Sequence, residues 1–435
     1  MLTNPVILSV ALMLALCFFR FNVLLAVLLS GLFAGLLSSG DLLGTMQALT
    51  QGMKGNLETA LSYILVGALA AAISRSNLMA YVVKIFTARL SNKRAFALPS
   101  IAAVSCLSQN LIPVHIAFVP ILIPPLLPLF SRLKIDRRAL ACAITFGLGA
   151  PYMALPLGFG LIFQTILKDE LNNNNVKNAA GSALSIADIS STVWLLGPIM
   201  LFGLICALVA YRKPREYKVL EAKYQDLDSL SFSWREGSVA LGLLITLAGQ
   251  VYFASLPLAT LLGLLFMIAT GGVKYADMDD IFSQGLSMMG YIAFVMLVAA
   301  GYGEILRGSG AIDEMVRAVL SLSDNTVLNV FFMLLAGLII TLGIGTSFGT
   351  IPIIAVLFCP ICQELGLSTS AIIFIIAVAG VLGDAGSPAS DSAMGVSVGT
   401  CADNQADHIK DTCLPNFLCY NMPLLFLGLL MSMFL

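Results

Sequence analysis

Charge is what this chain has least of. Asp, Glu, Lys and Arg make up 11% of its 435 residues, while 59% are hydrophobic. A soluble domain carries about 25% charged and about 45–50% apolar residues. So few charges cannot cover so much apolar surface in water, and the mean hydropathy of +0.95 agrees. Lipid is the solvent that this composition requires. The formal net charge of -1 argues against a nucleic-acid partner. Only two His occur and HExxH is absent, so no catalytic constellation can be argued and no enzyme is expected. A Walker A motif is also missing, which sets ATP aside as an energy source. The nine Cys are odd in number and lie mostly in apolar runs, unlike a disulfide framework. Cys359 and Cys362 form a CxxC without a second Cys/His pair nearby, and read as two small apolar residues rather than a metal site. No cofactor is expected.

Long apolar runs are what the chain has instead. A span needs roughly 17–25 apolar residues. Ten segments qualify: 4–19, 22–38, 58–75, 139–167, 190–211, 237–252, 255–272, 284–304, 371–399 and 414–435. The first has no basic residues before it and reads as a spanning helix rather than a cleaved signal. Two further stretches, 96–130 and 328–365, are too long for one helix. They are interrupted near the middle by SQNLIP at 108–113 and GTSFGTIP at 345–352, and read as re-entrant hairpins. Segments 77–90 and 309–322 mix apolar and charged residues, as interfacial helices do. With this alternation, all of the 23 Lys and Arg except Lys54, Lys168, Lys177, Arg307 and Arg317 fall on the cytoplasmic side. Both termini then lie outside.

The two halves match in order. SVAL at 9–12 recurs at 238–241, Phe33 matches Phe266, and Gln51-Gly52 matches Gln284-Gly285. Ile73 and Arg75 match Ile305 and Arg307, Ile112-Pro113 matches Ile351-Pro352, and Pro151 matches Pro388, at offsets of 229 to 239. Each copy holds five spans and one hairpin. An odd number inverts the second copy, as in secondary transporters. The expected architecture is therefore an all-α polytopic membrane protein of two inverted repeats, 1–211 and 237–435, joined by a cytoplasmic linker at 212–236.

Such transporters bind their cargo near the bilayer midplane, where helices are broken. Four breaks are expected: the hairpin tips Ser108-Gln109-Asn110 and Gly345-Thr346-Ser347, GLGAP at 147–151 with Gly149 at its centre, and GDAGSPASD at 383–391. Freed carbonyls can hold a cation and freed N–H groups an anion. Asp384 lies within the last break, with Ser387, Ser390 and Asp391 following. An intramembrane carboxylate costs roughly 2.5–3.5 kcal/mol on insertion scales, so it faces a polar cavity and can trade a proton for a cation. Na⁺ is expected at Asp384 and the hairpin tips. For Asp391 a helix-capping role is the alternative. His115 is a proton-relay candidate or a hydrogen-bonded hairpin residue. Glu304 and Arg307 are placed as an ion pair on one helical face. His408 is read as solvated in the loop CADNQADHIKD, and NNNN at 172–175 as an exterior loop.

The motifs SQNLIP, GLGAP, GTSFGTIP and GDAGSPASDSAMG resemble those of the ion transporter superfamily over nearly the whole chain. Within it the chain looks most like the NhaC-like Na⁺/H⁺ antiporter family, including its branch of proposed amino-acid (histidine-type) permeases. The resemblance implies a scaffold domain, a mobile transport domain holding both hairpins, a homodimer and an elevator mechanism in a bacterial cytoplasmic membrane. The related divalent-anion/sodium symporters carry Ser-Asn-Thr at both tips. This chain has Ser108-Gln109-Asn110 and Thr346-Ser347-Phe348 there, which argues against a dicarboxylate. Na⁺/H⁺ antiport is the first expectation, and Na⁺- or H⁺-coupled uptake of an amino acid or small organic ion the second. Lipid and a small ion or solute are the expected partners.

Overall fold

The computed structural model describes residues 4–19, 21–78, 81, 94–106, 115–219, 232–253, 255–320, 323, 325–388 and 390–435. The first half contains α1 (Pro5–Phe18), α2 (Val23–Ser38), α3 (Leu42–Met53), α4 (Leu57–Ser74), α5 (Arg94–Ser105), α6 (His115–Arg132), α7 (Arg137–Ala154), α8 (Phe159–Asn173), α9 (Ile186–Val193) and α10 (Leu196–Ala210). The second contains α11 (Trp234–Phe253), α12 (Leu256–Ala269), α13 (Met278–Gly308), α14 (Ile312–Leu320), α15 (Thr326–Ile344), α16 (Ser347–Glu364), α17 (Thr369–Val381), α18 (Asp391–Thr400) and α19 (His408–Ser432). An isolated antiparallel bridge, Lys177 to Ala183, lies between α8 and α9.

These helices start where a short polar side chain can take up free N–H groups. Asn4, Asn22, Asp41, Asp136, Asn325 and Ser368 each accept from the first turn that follows. Among the described residues, six helices are long and apolar enough to cross a membrane. The number is seven if α7 and α8, bent by 46° at their junction, count as one broken span. Large apolar side chains such as Leu36, Leu201, Ile205, Phe332 and Phe426 remain exposed, as a lipid-facing surface requires. Helix α17 is buried on every side from Ala371 to Val381 and sits at the centre.

The helix at 42–53 falls outside the expected spans. A 3₁₀ turn at Lys54–Asn56 separates α3 from α4, whereas the corresponding stretch of the second half is one 31-residue helix, α13. The two units pack reciprocally. A Cβ at Gly52 would lie 2.9 Å from the Ala300 carbonyl and the Gly301 Cα, while one at Gly285 would lie 2.6 Å from the Ala68 Cα. One offset of 233 residues relates Gly52 to Gly285 and Gly67-Ala68 to Ala300-Gly301. A second contact repeats at an offset of 236: Gly147 packs on Ser105, and Gly383 packs on Thr341.

Of the expected interfacial segments, α14 forms at 312–320, with Met315 and Val316 buried. Most of 77–90 lies outside the described residues. Of the linker, residues 212–219 cross a polar face where Arg215 bridges Asp136 and Asp411, and Lys134 pairs with Glu216. Arg137, fully buried, pairs with Asp403 of the second half at 2.7 Å.

Candidate functional site

The second break forms where expected. Helix α17 ends at Val381, turns follow over 382–386, and Ser390 caps α18. Gly383 allows the close approach to α15, because a Cβ there would lie 2.6 Å from the Leu342 nitrogen. Asp384 follows immediately. Its Oδ2 accepts from Ser347 at 2.9 Å, and its Oδ1 from Ser390 at 2.8 Å and Ser392 at 3.4 Å. Ser347 opens α16, so the second hairpin tip and the second break meet on one carboxylate. The tip itself is made by Gly345, whose φ of 76° caps α15 in the left-handed region, and by Thr346, which precedes α16. Ser387 donates to the Leu342 carbonyl at 3.0 Å and ties the break to the hairpin.

The first break is displaced. GLGAP was expected to open the helix at 147–151, but α7 continues through Pro151 to Ala154. The chain unwinds at Leu155–Gly158 instead. Pro156 has no N–H and pushes Leu155 into extended backbone (φ -114°, ψ 136°), and Gly158 turns with φ 56°. A proline inside a helix costs one hydrogen bond; a proline followed closely by a left-handed glycine ends it. Gly149 nevertheless reaches the site, on the face of α7 that lines the cavity.

That cavity, about 40 Å³, lies between Asp384, Thr346, Gly149, Thr145 and Ser392. A water needs about 10–15 Å³ on this measure, so there is room for a small ion with a few ligand waters. An aromatic cluster walls it. Phe348 stacks edge-on to Tyr63 (centroids 5.1 Å) and Tyr152 (5.5 Å), with Phe159 at 6.3 Å. Asn416 donates to Thr145 at 2.8 Å, leaving its buried Oδ1 without a hydrogen-bond partner, and both amide atoms of buried Asn421 also lack one. Asn421 lies against Gly386 of the break. Carboxylate, hydroxyl and amide oxygens of this kind suit a hard cation such as Na⁺.

The other expected residues sort as follows. Ser108, Gln109 and Asn110 lie outside the described residues. His115 begins α6 and Asp391 begins α18, but their side chains are not among those described. Glu304 and Arg307 do pair, at 3.1 Å, and Arg307 reaches on to buried Glu170 at 3.7 Å. His408 is not a solvated loop residue. Its ring bonds Ser397 at 2.6 Å and the Pro388 carbonyl at 3.1 Å, fastening the second break to the start of α19. Its place in the polar loop concealed this, because the loop folds back under the break. Cys359 and Cys362 are free and buried in α16. Tyr63, Tyr152, Phe159, Ser392, Asn416 and Asn421 were not foreseen. Tyr63, Tyr152 and Phe159 carry no motif, Ser392 lies within GDAGSPASDSAMG without being singled out there, and only Asn416 and Asn421 in the apolar last span were a visible signal.

Broken helices meeting a helix-joining turn at a part-buried carboxylate are what a secondary transporter needs, and the comparisons agree. The Na⁺/H⁺ antiporter family profile matches residues 143–429, and a second Na⁺-H⁺ antiporter family profile matches residues 4–90. The chain belongs to the Na⁺/H⁺ antiporter family. An uncharacterised membrane protein of Vibrio parahaemolyticus is 40% identical over 99% of this chain and all of its own length. YuiF of Bacillus subtilis, named as a candidate amino acid transporter, is 41% identical over 88% of this chain and 89% of its own. In fold the chain resembles the YdaH transporter of Alcanivorax borkumensis (TM-score 0.64, 15% identity, 91% of this chain and 89% of that one). It also resembles MtrF of Neisseria gonorrhoeae, from a class of antimetabolite efflux pumps (TM-score 0.62, 14% identity, 91% and 85%). It is a multi-pass membrane protein.

Proposed function

We propose that this chain exchanges Na⁺ for H⁺ across a bacterial cytoplasmic membrane, with Asp384 carrying each in turn. The observation that carries the proposal is the three-hydroxyl cradle on Asp384 beside an ion-sized cavity. When protonated, the carboxyl needs no counter-ion. When ionised, it is an anionic oxygen ligand, and rotating the Ser347, Ser390 and Ser392 hydroxyls turns their lone pairs toward a bound cation. Binding of proton and cation to one group is mutually exclusive, and that exclusion is what couples the two fluxes.

The moving unit is a transport domain holding both hairpins, re-entrant at 96–130 and 328–365, which slides against a scaffold in a homodimer. The reciprocal contacts at offsets of 233 and 236 support the inverted repeats, 1–211 and 237–435, that such a movement needs. In this reading both termini lie outside. A second reading, ion-coupled uptake of an amino acid or small organic ion, is favoured by the name of the Bacillus relative.

Reconstitution decides between them. Liposomes holding the purified protein and an internal pH dye are pulsed with Na⁺ alone. Proton movement that disappears in Asp384→Asn is expected. Coupling retained in that variant overturns the role of Asp384. Proton movement only after an amino acid is added replaces antiport with the second reading. For the elevator, labelling of Thr346→Cys from one side should change with Na⁺; labelling indifferent to every ligand removes it.

A further inference from the structure

We propose that Glu170 is a second proton-binding group of the exchange, ionised while it pairs with Arg307 and protonated when that pair parts; the inference rests on the exchange and the sliding movement proposed above. The helices divide into two bundles by how they pack. In one, α13 interlocks with α3 and α4. A Cβ at Gly301 would lie 2.5 Å from the Leu49 carbonyl oxygen, and one at Gly67 would lie 2.5 Å from that of Gly285. In the other, backbones meet as closely: a Cβ at Gly386, in the second break, would lie 2.7 Å from the Phe417 Cα of α19. Where α13 meets α16, between the bundles, the nearest atoms are valine methyls. Gly303 faces the Val356 Cγ2 at 3.2 Å and Gly349 the Val295 Cγ1 at 3.3 Å. Interlocked backbones move as one body. Contacts made by side-chain tips can be exchanged for others as one body slides past the next.

Glu170 lies on this boundary. It belongs with the second bundle, because the chain just beyond it is tied to α16 and α17: Gln363 donates to the Asn174 carbonyl at 3.2 Å, and Thr369 to that of Lys177 at 2.8 Å. Its carboxylate faces the first bundle. Asn56, in the turn between α3 and α4, donates to Oε1 at 3.3 Å, and Arg307 of α13 stands 3.7 Å from Oε2. Glu170 is 1% exposed, and its Oε2 has no hydrogen-bond partner. The cation that balances this charge is thus on the body that Glu170 must slide past. Nothing else nearby replaces it. Asn173, on the same helix, adds an amide but no charge, Cys359 of α16 is a buried thiol, and Asp169 has the same sign and pairs with Lys168. A buried carboxylate that loses its cation carries an uncompensated charge at large cost, and binding a proton removes it. Arg307 is not stranded in turn, because it is part-exposed and keeps Glu304. The two conformations then differ by one proton at Glu170, so rising pH favours the paired one.

Two experiments test this, and the first needs no transport. It is thermal unfolding of the full-length protein in detergent, from acid to alkaline pH. Arg307→Gln imitates the parted pair. Its Glu170 should hold a proton in the folded protein that the unfolded chain gives up, a stabilisation fully present in acid and lost as pH rises. The melting temperature of Arg307→Gln should therefore approach the parent's in acid and fall away from it toward alkaline pH. Adding Glu170→Gln should remove that extra pH dependence. Arg307→Gln with the parent's pH profile overturns proton binding at Glu170. The second experiment is Na⁺-driven exchange in liposomes. Glu170→Gln is neutral in both conformations, so high pH no longer holds it in the paired one. The alkaline limb of its exchange should move up by about one pH unit or more, a tenfold change in proton concentration. An unmoved limb overturns the part of Glu170 in the exchange, and if Arg307→Gln folds at no pH this limb decides alone. A parent protein that exchanges no Na⁺ sinks the exchange reading instead, while the unfolding profiles still judge Glu170.

Discussion

The two broken spans are built on one plan and equipped differently. In both, a glycine lets a neighbouring helix pack closely: Gly147, inside α7 ahead of its break, on Ser105, and Gly383, within the second break, on Thr341. The residue that follows is Leu148 in one and Asp384 in the other, and both line the same cavity. Repetition supplies a frame in which matching glycines pack on matching neighbours in the two halves. Chemistry needs only one acid there, since two ionised carboxylates in one small cavity would repel each other. Only the frame has been kept in both copies.

The comparison can be broken most severely at those two positions. Asp384→Asn should abolish Na⁺-driven proton movement in liposomes with no change in melting temperature large enough to explain it. Leu148→Asp should lower the melting temperature and yield, since an unpartnered carboxylate there costs roughly 2.5–3.5 kcal/mol, and should add no second coupled ion. Next come the glycines. Gly147→Ala and Gly383→Ala each drive a Cβ onto the neighbouring helix at 2.6 Å from backbone, and should destabilise by a similar about 1–3 kcal/mol in thermal unfolding. A large inequality between them would dissolve the idea of a shared plan.

Smaller effects sharpen the second break alone. Ser390→Ala removes a 2.8 Å bond to the carboxylate and should change the half-saturating Na⁺ concentration about tenfold. Ser392→Ala, at 3.4 Å, should change it much less. The smallest effect concerns the loop beyond. Asp407 caps α19, and the backbone N–H of Lys410, followed by that of Ile409, holds its carboxyl below the usual carboxylate range. A folded-state value below the unfolded one means stabilisation present above the ordinary carboxylate range and lost as pH falls through the lowered one. Asp407→Ala should therefore cost a little melting temperature at neutral pH and nothing in acid.

Much of this was legible in the chain. The helical runs and the second break follow from apolar residues and their interruption by Gly and Pro, which are local properties. Asp384 stood out because an acid inside a span is expensive. The position of the first break did not follow from local cues: GLGAP has two glycines and a proline, but packing keeps α7 helical through it, and Pro156 with Gly158 ends it a turn later. The α3–α4 division was hidden as well, since nothing in the matching α13 is divided.

By itself, then, the sequence determined the solvent, the helical segments and the acids in the second break, Asp384 and Asp391, that the membrane would penalise. Each is a cost or gain felt within a few turns of chain. Only the tertiary structure decided which hydroxyls reach Asp384, that His408 fastens the break, and that Glu170 meets Arg307 across the boundary between two bundles. Those are contacts between residues far apart in sequence, and their energies exist only once the helices have packed.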